Sequence, residues 1–214
     1  MSRRGTERRG ALVTGASAGI GRELAQRLAA AGWPVALTAR RRERLEGLAA
    51  DIETRHGVRA LPVAADLEDP EGPARIEAAL AAEGFEVDFL VNNAGFGTWG
   101  PFAERPLAAQ TGMIRVNVLA PTELTRRLLP AMRDRGAGRI LNVASTAAFQ
   151  PGPWMAVYFA SKAYVLHFSE ALREELRRTG VTVTVLCPGP TRTEFQERAD
   201  MERTRVGRNP FLMD

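Results

Sequence analysis

The chain predicts an α/β fold: a doubly wound parallel sheet of six strands with helices on both faces. Three observations predict it. Six short apolar runs recur along the 214 residues, longer stretches of helical periodicity separate them, and no fixed-period repeat or low-complexity linker breaks the alternation. Strands separated by helices pair in parallel, because a helical crossover returns the chain to the same end of the sheet.

The first run, Ala11-Leu12-Val13, leads directly into a glycine-rich turn and a helix over Ile20 to Ala31. Val35-Ala36-Leu37 forms the second strand, and a charged helix over Arg42 to Arg55 follows. The third strand spans Ala60 to Ala64, with a helix over Pro73 to Glu83, and the fourth spans Val87 to Val91. A long helix then covers Leu107 to Arg133. Pro121 inside it lacks the N–H that would bond the carbonyl of Asn117, so a kink is expected there, leaving a carbonyl that can hold a water. Ile140 to Val143 is the fifth strand, Trp154 to Thr179 a helix, and Val181 to Leu186 the sixth strand. Thr191 to Asp214 is charged, helix-like to about Arg205, and offers no further strand.

At 45% hydrophobic content the chain is long enough for one domain with a sizeable core. Of the formal net charge of +4, Arg3, Arg4, Arg8 and Arg9 against Glu7 supply +3. Residues 1–10 therefore read as a basic tail and 11–214 as a nearly balanced domain, which argues against a nucleic-acid partner. The single cysteine, Cys187, excludes an internal disulfide and a cysteine metal cluster and fits a reducing compartment; no metal is expected. No apolar run approaches the ~20 residues that cross a bilayer, and the Arg-rich start lacks the apolar core of a secretory signal, so a cytoplasmic protein without a membrane partner is expected.

Thr14-Gly15-Ala16-Ser17-Ala18-Gly19-Ile20-Gly21 lies between the first strand and the first helix. In that context Gly15 permits the tight exit turn, Gly19 the close approach of a pyrophosphate and Gly21 close packing of helix on strand, while Ser17 adds a hydroxyl donor and the helix N-terminus attracts the anion. The context predicts a Rossmann-type dinucleotide site, the alternative being a glycine-rich turn with no ligand. An acid that would bond the ribose 2′-hydroxyl of NAD is missing about 20 residues on. Arg40 and Arg41 stand there instead, and a guanidinium pair suits a 2′-phosphate, which favours NADP(H) over NAD(H). Asp66 after the third strand is a candidate for the adenine amino group, and Asn93 in Asn92-Asn93-Ala94-Gly95 ends the fourth strand at the same sheet edge; either could instead cap a turn.

Lys162 is the only lysine among 29 basic residues, and it stands four positions after Tyr158, on the same helix face. A sequence that otherwise uses arginine keeps an ammonium where guanidinium cannot substitute. Ser145 precedes Tyr158 by 13 residues. The glycine loop, the Asn-Asn-Ala-Gly turn, Ser145, Tyr158-x-x-x-Lys162 and Cys187-Pro188-Gly189 together resemble the short-chain dehydrogenase/reductase family over roughly residues 10–195.

The resemblance implies that Tyr158 is the general acid in carbonyl reduction, that Ser145 polarises the substrate oxygen and that Lys162 bonds the ribose hydroxyls. It also implies that Asn117 links the lysine through water to solvent, so the expected catalytic set is Asn117, Ser145, Tyr158 and Lys162. Pro188, Gly189 and Thr191 resemble the segment that closes over the nicotinamide. A free phenol titrates near ~10, so working near neutrality needs its phenolate favoured by about 4 kcal/mol, for which Lys162 and the oxidised nicotinamide offer positive charge. The apolar stretches after Ser145 and after Gly95 favour a hydrophobic aldehyde, ketone or alcohol. The family continues to a seventh strand that this chain lacks, which would leave the sixth strand as an open edge. A homo-oligomer is implied, with Leu166, Phe168 and Leu172 as candidates for its face. The alternative function is a non-catalytic dinucleotide-binding sensor or interaction protein.

Overall fold

A computed structural model describes residues 9–191 together with Glu194 and Phe195. Six strands, β1 (Arg9–Thr14), β2 (Val35–Ala39), β3 (Ala60–Ala64), β4 (Glu86–Asn92), β5 (Gly138–Val143) and β6 (Val181–Leu186), form one sheet in the order β3-β2-β1-β4-β5-β6. Every neighbouring pair is parallel. The helices are α1 (Gly19–Ala30), α2 (Arg42–His56), α3 (Gly72–Ala82), α4 (Leu107–Ile114), α5 (Ala120–Asp134) and α6 (Ala156–Glu175).

Alternation along β1 shows how the sheet makes two cores. Ala11 and Val13 face Ala25 and Ala29 of α1 and Leu45, Leu48 and Ile52 of α2. Leu12, pointing the other way, joins Ile76 and Leu80 of α3, Leu124 and Met132 of α5, and Leu172 of α6. The chain therefore changes face and direction between β1 and β4, and the crevice beyond the carboxyl ends of those strands is where ligands of open α/β sheets bind.

The strand at β1 begins two residues earlier than the apolar run alone predicted. The long helix predicted over Leu107 to Arg133 is divided: α4 ends at Ile114, a π-helical turn spans Arg115–Leu119, and α5 starts at Ala120. The missing amide of Pro121 accounts for this, because the turn that should close on Asn117 cannot, and the Ala120 amide instead bonds the carbonyl of Arg115. Leu166 and Leu172 are buried within the fold and Phe168 packs partly against its core, so all three serve the interior first. The helix expected beyond Thr191 lies outside the described residues. No described helix is long and apolar enough to cross a membrane.

Candidate active site

A cleft of about 930 Å³ runs along the carboxyl ends of the strands and gathers most of the residues singled out from the sequence. Gly15, Ser17, Gly19 and Ile20 line one end with Arg40, Arg41 and Asp66; Ser145, Tyr158, Lys162, Pro188, Gly189 and Thr191 line the other, and Asn93 lies between. Gly21 is buried just behind the loop. Gly15 and Gly19 both have positive φ, 68° and 54°, which glycine adopts without a steric penalty. A Cβ on Gly21 would overlap the Gly15 carbonyl and the side-chain amide of Asn93, so only glycine lets α1 start this close to β1.

Thr14, which the sequence reading left without a role, fastens the two strands that frame the crevice. Its hydroxyl donates to the Val91 carbonyl at 3.2 Å and accepts from the amides of Asn93 and Ala94, each at 2.9 Å. The Asn93 side chain in turn donates to the Thr14 carbonyl at 2.9 Å. Asn93 thus shapes the glycine loop from behind as well as lining the cleft. No side chain caps α1, whose N-cap is Ala18, so its first amides keep donors open toward the cleft.

The two arginines expected to act as a pair are separated. Arg40 pairs with Glu68 at 3.3 Å, whereas Arg41 donates to the Ser17 hydroxyl at 3.0 Å and to Glu194 at 2.8 Å. Asp66 makes a turn, accepting from the Glu68 amide at 2.9 Å, while still facing the cleft. The Thr191 hydroxyl folds back on the Gly189 carbonyl at 3.0 Å, and the Thr146 amide holds the Pro188 carbonyl at 3.0 Å, tying this loop to Ser145.

At the other end Ser145 has two tasks. Its hydroxyl oxygen caps the 3-10 turn Thr146–Phe149 by accepting from the Ala147 amide at 3.1 Å, and the hydroxyl lies near enough to Tyr158 to act on its phenol. Burial pushes the Tyr158 phenol above its ordinary value and the Ser145 hydroxyl pulls against that, so in this state the phenol is neutral and keeps its proton. Lys162 is 6% exposed and donates to the Val143 carbonyl at 2.8 Å. Burial draws its ammonium down to about 8, with a smaller opposing contribution from Cys187. Its Nζ stands 5.9 Å from the centre of the Tyr158 ring.

Asn117 lies behind the cleft wall and is 2% exposed. Its carboxamide oxygen accepts from the Phe96 amide at 3.1 Å, and its nitrogen donates to the Phe96 carbonyl at 2.9 Å and to Ser161 at 3.0 Å. Ser161 passes the contact on to the Tyr158 carbonyl at 2.7 Å. The side chain is therefore a strap between the loop after β4 and the helix that carries Tyr158 and Lys162. Gly95 makes room for it: a Cβ there would come within 3.1 Å of the Asn117 oxygen and 3.4 Å of Lys162 Nζ.

Around Tyr158 the wall is aromatic. Phe195 sits 5.2 Å and Phe159 6.0 Å from its ring, centre to centre, and Met155 and Trp99 complete the cluster. Trp154, at the unusual φ of 69° for a side chain of this size, stacks on Trp99 at 6.4 Å. Glu194 and Phe195 were not singled out in the sequence; Glu194 meets Arg41 across 153 positions, and Phe195 joins the aromatic wall against Tyr158 and Met155.

A glycine loop and the uncapped start of α1 at one end, and a phenol, a hydroxyl and a buried amine at the other, thus share one cleft at the switch point of an α/β sheet. A sequence profile described as short chain dehydrogenase matches residues 9–204, and the chain belongs to that family. A short chain dehydrogenase of Pseudocercospora fijiensis is 38% identical over 204 residues, covering 94% of this chain and 65% of its own length. A very-long-chain 3-oxoacyl-CoA reductase of Anas platyrhynchos is 39% identical over 183 residues, covering 83% and 58%. The chain thus spans about two thirds or less of these relatives. Among solved structures, a short-chain dehydrogenase from Sphingobium yanoikuyae in complex with NADPH superimposes with a TM-score of 0.88 at 35% identity, covering 95% of this chain and 78% of the other.

Proposed function

We propose that this chain is an NADP(H)-dependent oxidoreductase that interconverts an apolar aldehyde or ketone with its alcohol. The observation that carries the reading is that Ser145, Tyr158 and Lys162 line the same cleft as the glycine loop. When bound, a nicotinamide coenzyme supplies or accepts the hydride. The residues present fit such a group: Gly15, Gly19 and the open amides of α1 suit a pyrophosphate, and Arg41 with Ser17 suits a 2′-phosphate. Arg40 and Asp66 border that end, and Asn93, Pro188, Gly189 and Thr191 border the rest. The solved relative held with NADPH supports the same choice of coenzyme.

In the reductive direction Tyr158 gives its proton to the substrate oxygen, and Ser145 donates a hydrogen bond to that oxygen and orients it. Lys162 uses one of its three protons on Val143, which leaves two for ribose hydroxyls. Its charge beside the phenol favours the phenolate that forms when the proton leaves. Asn117 is a positioning residue through Phe96 and Ser161. The aromatic wall excludes water from the proton transfer and selects apolar substituents. A cytoplasmic homo-oligomer belongs to the proposal, with the exposed Leu119 and Tyr164 as surface available for self-association.

Calorimetric titration with NADPH and NADH, followed by turnover of a panel of apolar aldehydes and ketones by wild type and Tyr158→Phe, tests the assignment. Tyr158→Phe should keep its NADPH affinity and lose about 10²- to 10⁴-fold in turnover. Equal turnover in the two proteins overturns it.

A further inference from the structure

Resting on the NADP(H) reading above, we propose that Glu194 is an internal counter-anion of the 2′-phosphate site: its carboxylate engages Arg41 and Arg44 in the free protein and is exchanged for the coenzyme's phosphate. One oxygen of Glu194 accepts from Arg41 Nη1 at 2.8 Å and the other from Arg44 Nη1 at 2.5 Å. A bridging carboxylate of this kind makes the contacts a phosphate would make with the same two guanidinium groups. The second amino group of Arg41 holds the Ser17 hydroxyl at 3.0 Å, so the arginine that Glu194 engages is also the one tied to the glycine loop.

Two further observations separate this contact from an ordinary surface ion pair. Glu194 lies in the wall of the coenzyme cleft, opposite the loop, and reaches Arg41 across 153 positions of sequence. The next residue, Phe195, is seated against Tyr158 and Met155, so the carboxylate is presented from a packed anchor. Arg44 first, then Arg41, draw the Glu194 carboxyl below its ordinary value, which keeps it an anion throughout the neutral range.

The contact is suited to exchange. The side chains of Arg41, Arg44 and Glu194 are 42%, 51% and 45% exposed, so solvent screens both pairs and neither is strong enough to resist a dianion. Glu194 consequently lowers the affinity for a 2′-phosphate while leaving a 2′-hydroxyl almost unaffected. It sets how strongly the protein discriminates between the two coenzymes.

Isothermal titration of wild type, Glu194→Gln, Arg41→Ala and the double variant with adenosine 2′,5′-bisphosphate and with NAD⁺ tests this without turnover. Glu194→Gln should bind the bisphosphate about 5- to 10-fold more tightly and NAD⁺ within about twofold of wild type. Arg41→Ala should bind the bisphosphate at least about tenfold more weakly, and in that background Glu194→Gln should have much less effect. Glu194→Ala, which also lacks the carboxylate, should agree with Glu194→Gln. Unchanged or weaker bisphosphate binding by both Glu194 variants, with Arg41→Ala still impaired, overturns the role of Glu194 alone. Wild-type affinity in Arg41→Ala overturns the 2′-phosphate reading itself.

Discussion

Raising the pH should stabilise this protein through Lys162, and Lys162→Met should remove that gain. The ammonium is 6% exposed, and burial lowers it from 10.5 to about 8, opposed in part by Cys187. A gap of about 2.5 pH units between unfolded and folded states corresponds to about 3 kcal/mol. In the unfolded chain the lysine holds its proton up to 10.5, whereas the folded protein releases it near 8. Between those values the unfolded state binds more protons, so stability rises with pH. The penalty of burying the charge is complete below the folded value and gone above the unfolded one. Urea unfolding of wild type and Lys162→Met at pH 7 and pH 10 isolates the effect, because all other groups titrate in both proteins. Wild type should gain about 2–3 kcal/mol relative to the variant. The same pH response in both, or a response of opposite sign, refutes the desolvation argument.

Two substitutions probe the frame around the site. Gly21→Ala forces a methyl group into the Asn93 amide and the Gly15 carbonyl, and should destabilise by about 2–4 kcal/mol through overpacking and the lost Asn93–Thr14 bond; a change below about 0.5 kcal/mol in urea unfolding would contradict the close packing of α1. Asn117→Ala leaves the Phe96 amide and carbonyl without their side-chain partner, at a cost of about 3 kcal/mol. Hydrogen exchange at the Phe96 amide should speed up in the same variant, and an unchanged rate there would show that Asn117 is not the strap.

The sheet was legible because its evidence is local. Each apolar run is bounded by turn residues, and β2 through β6 fall where the runs lie: β2 is buried on both faces and needs no alternation to be found, whereas β6 alternates buried Val181 and Val183 with exposed Thr182 and Thr184. The glycine loop was legible for the same reason: strand, turn and helix follow one another within a dozen residues. Pro121 announced a disturbance near Asn117, but a missing amide says only which bond is lost. Whether the helix kinks or widens depends on what packs around it, and here the carboxamide of Asn117 reaches Phe96, 21 residues away. Asn93 was read as a sheet-edge residue that could instead cap a turn; its side chain braces β1 at the Thr14 carbonyl while the residue lines the cleft. The cap that Ser145 places on the turn Thr146–Phe149 was not legible, because the 3-10 turn that follows it has no periodic signal of its own. The separation of Arg40 from Arg41 was not legible, because their partners, Glu68 and Glu194, come from distant segments that only the fold brings near.

Arginine carries every side-chain cation in this chain except one, and that exception has a chemical corollary. Reagents that acylate amines and spare guanidinium find, apart from an α-amine, a single side-chain amine, and it lies in the wall of the cleft. One mass increment would therefore report one position, and any molecule filling the cleft would shield it. The protein carries its own built-in occupancy probe.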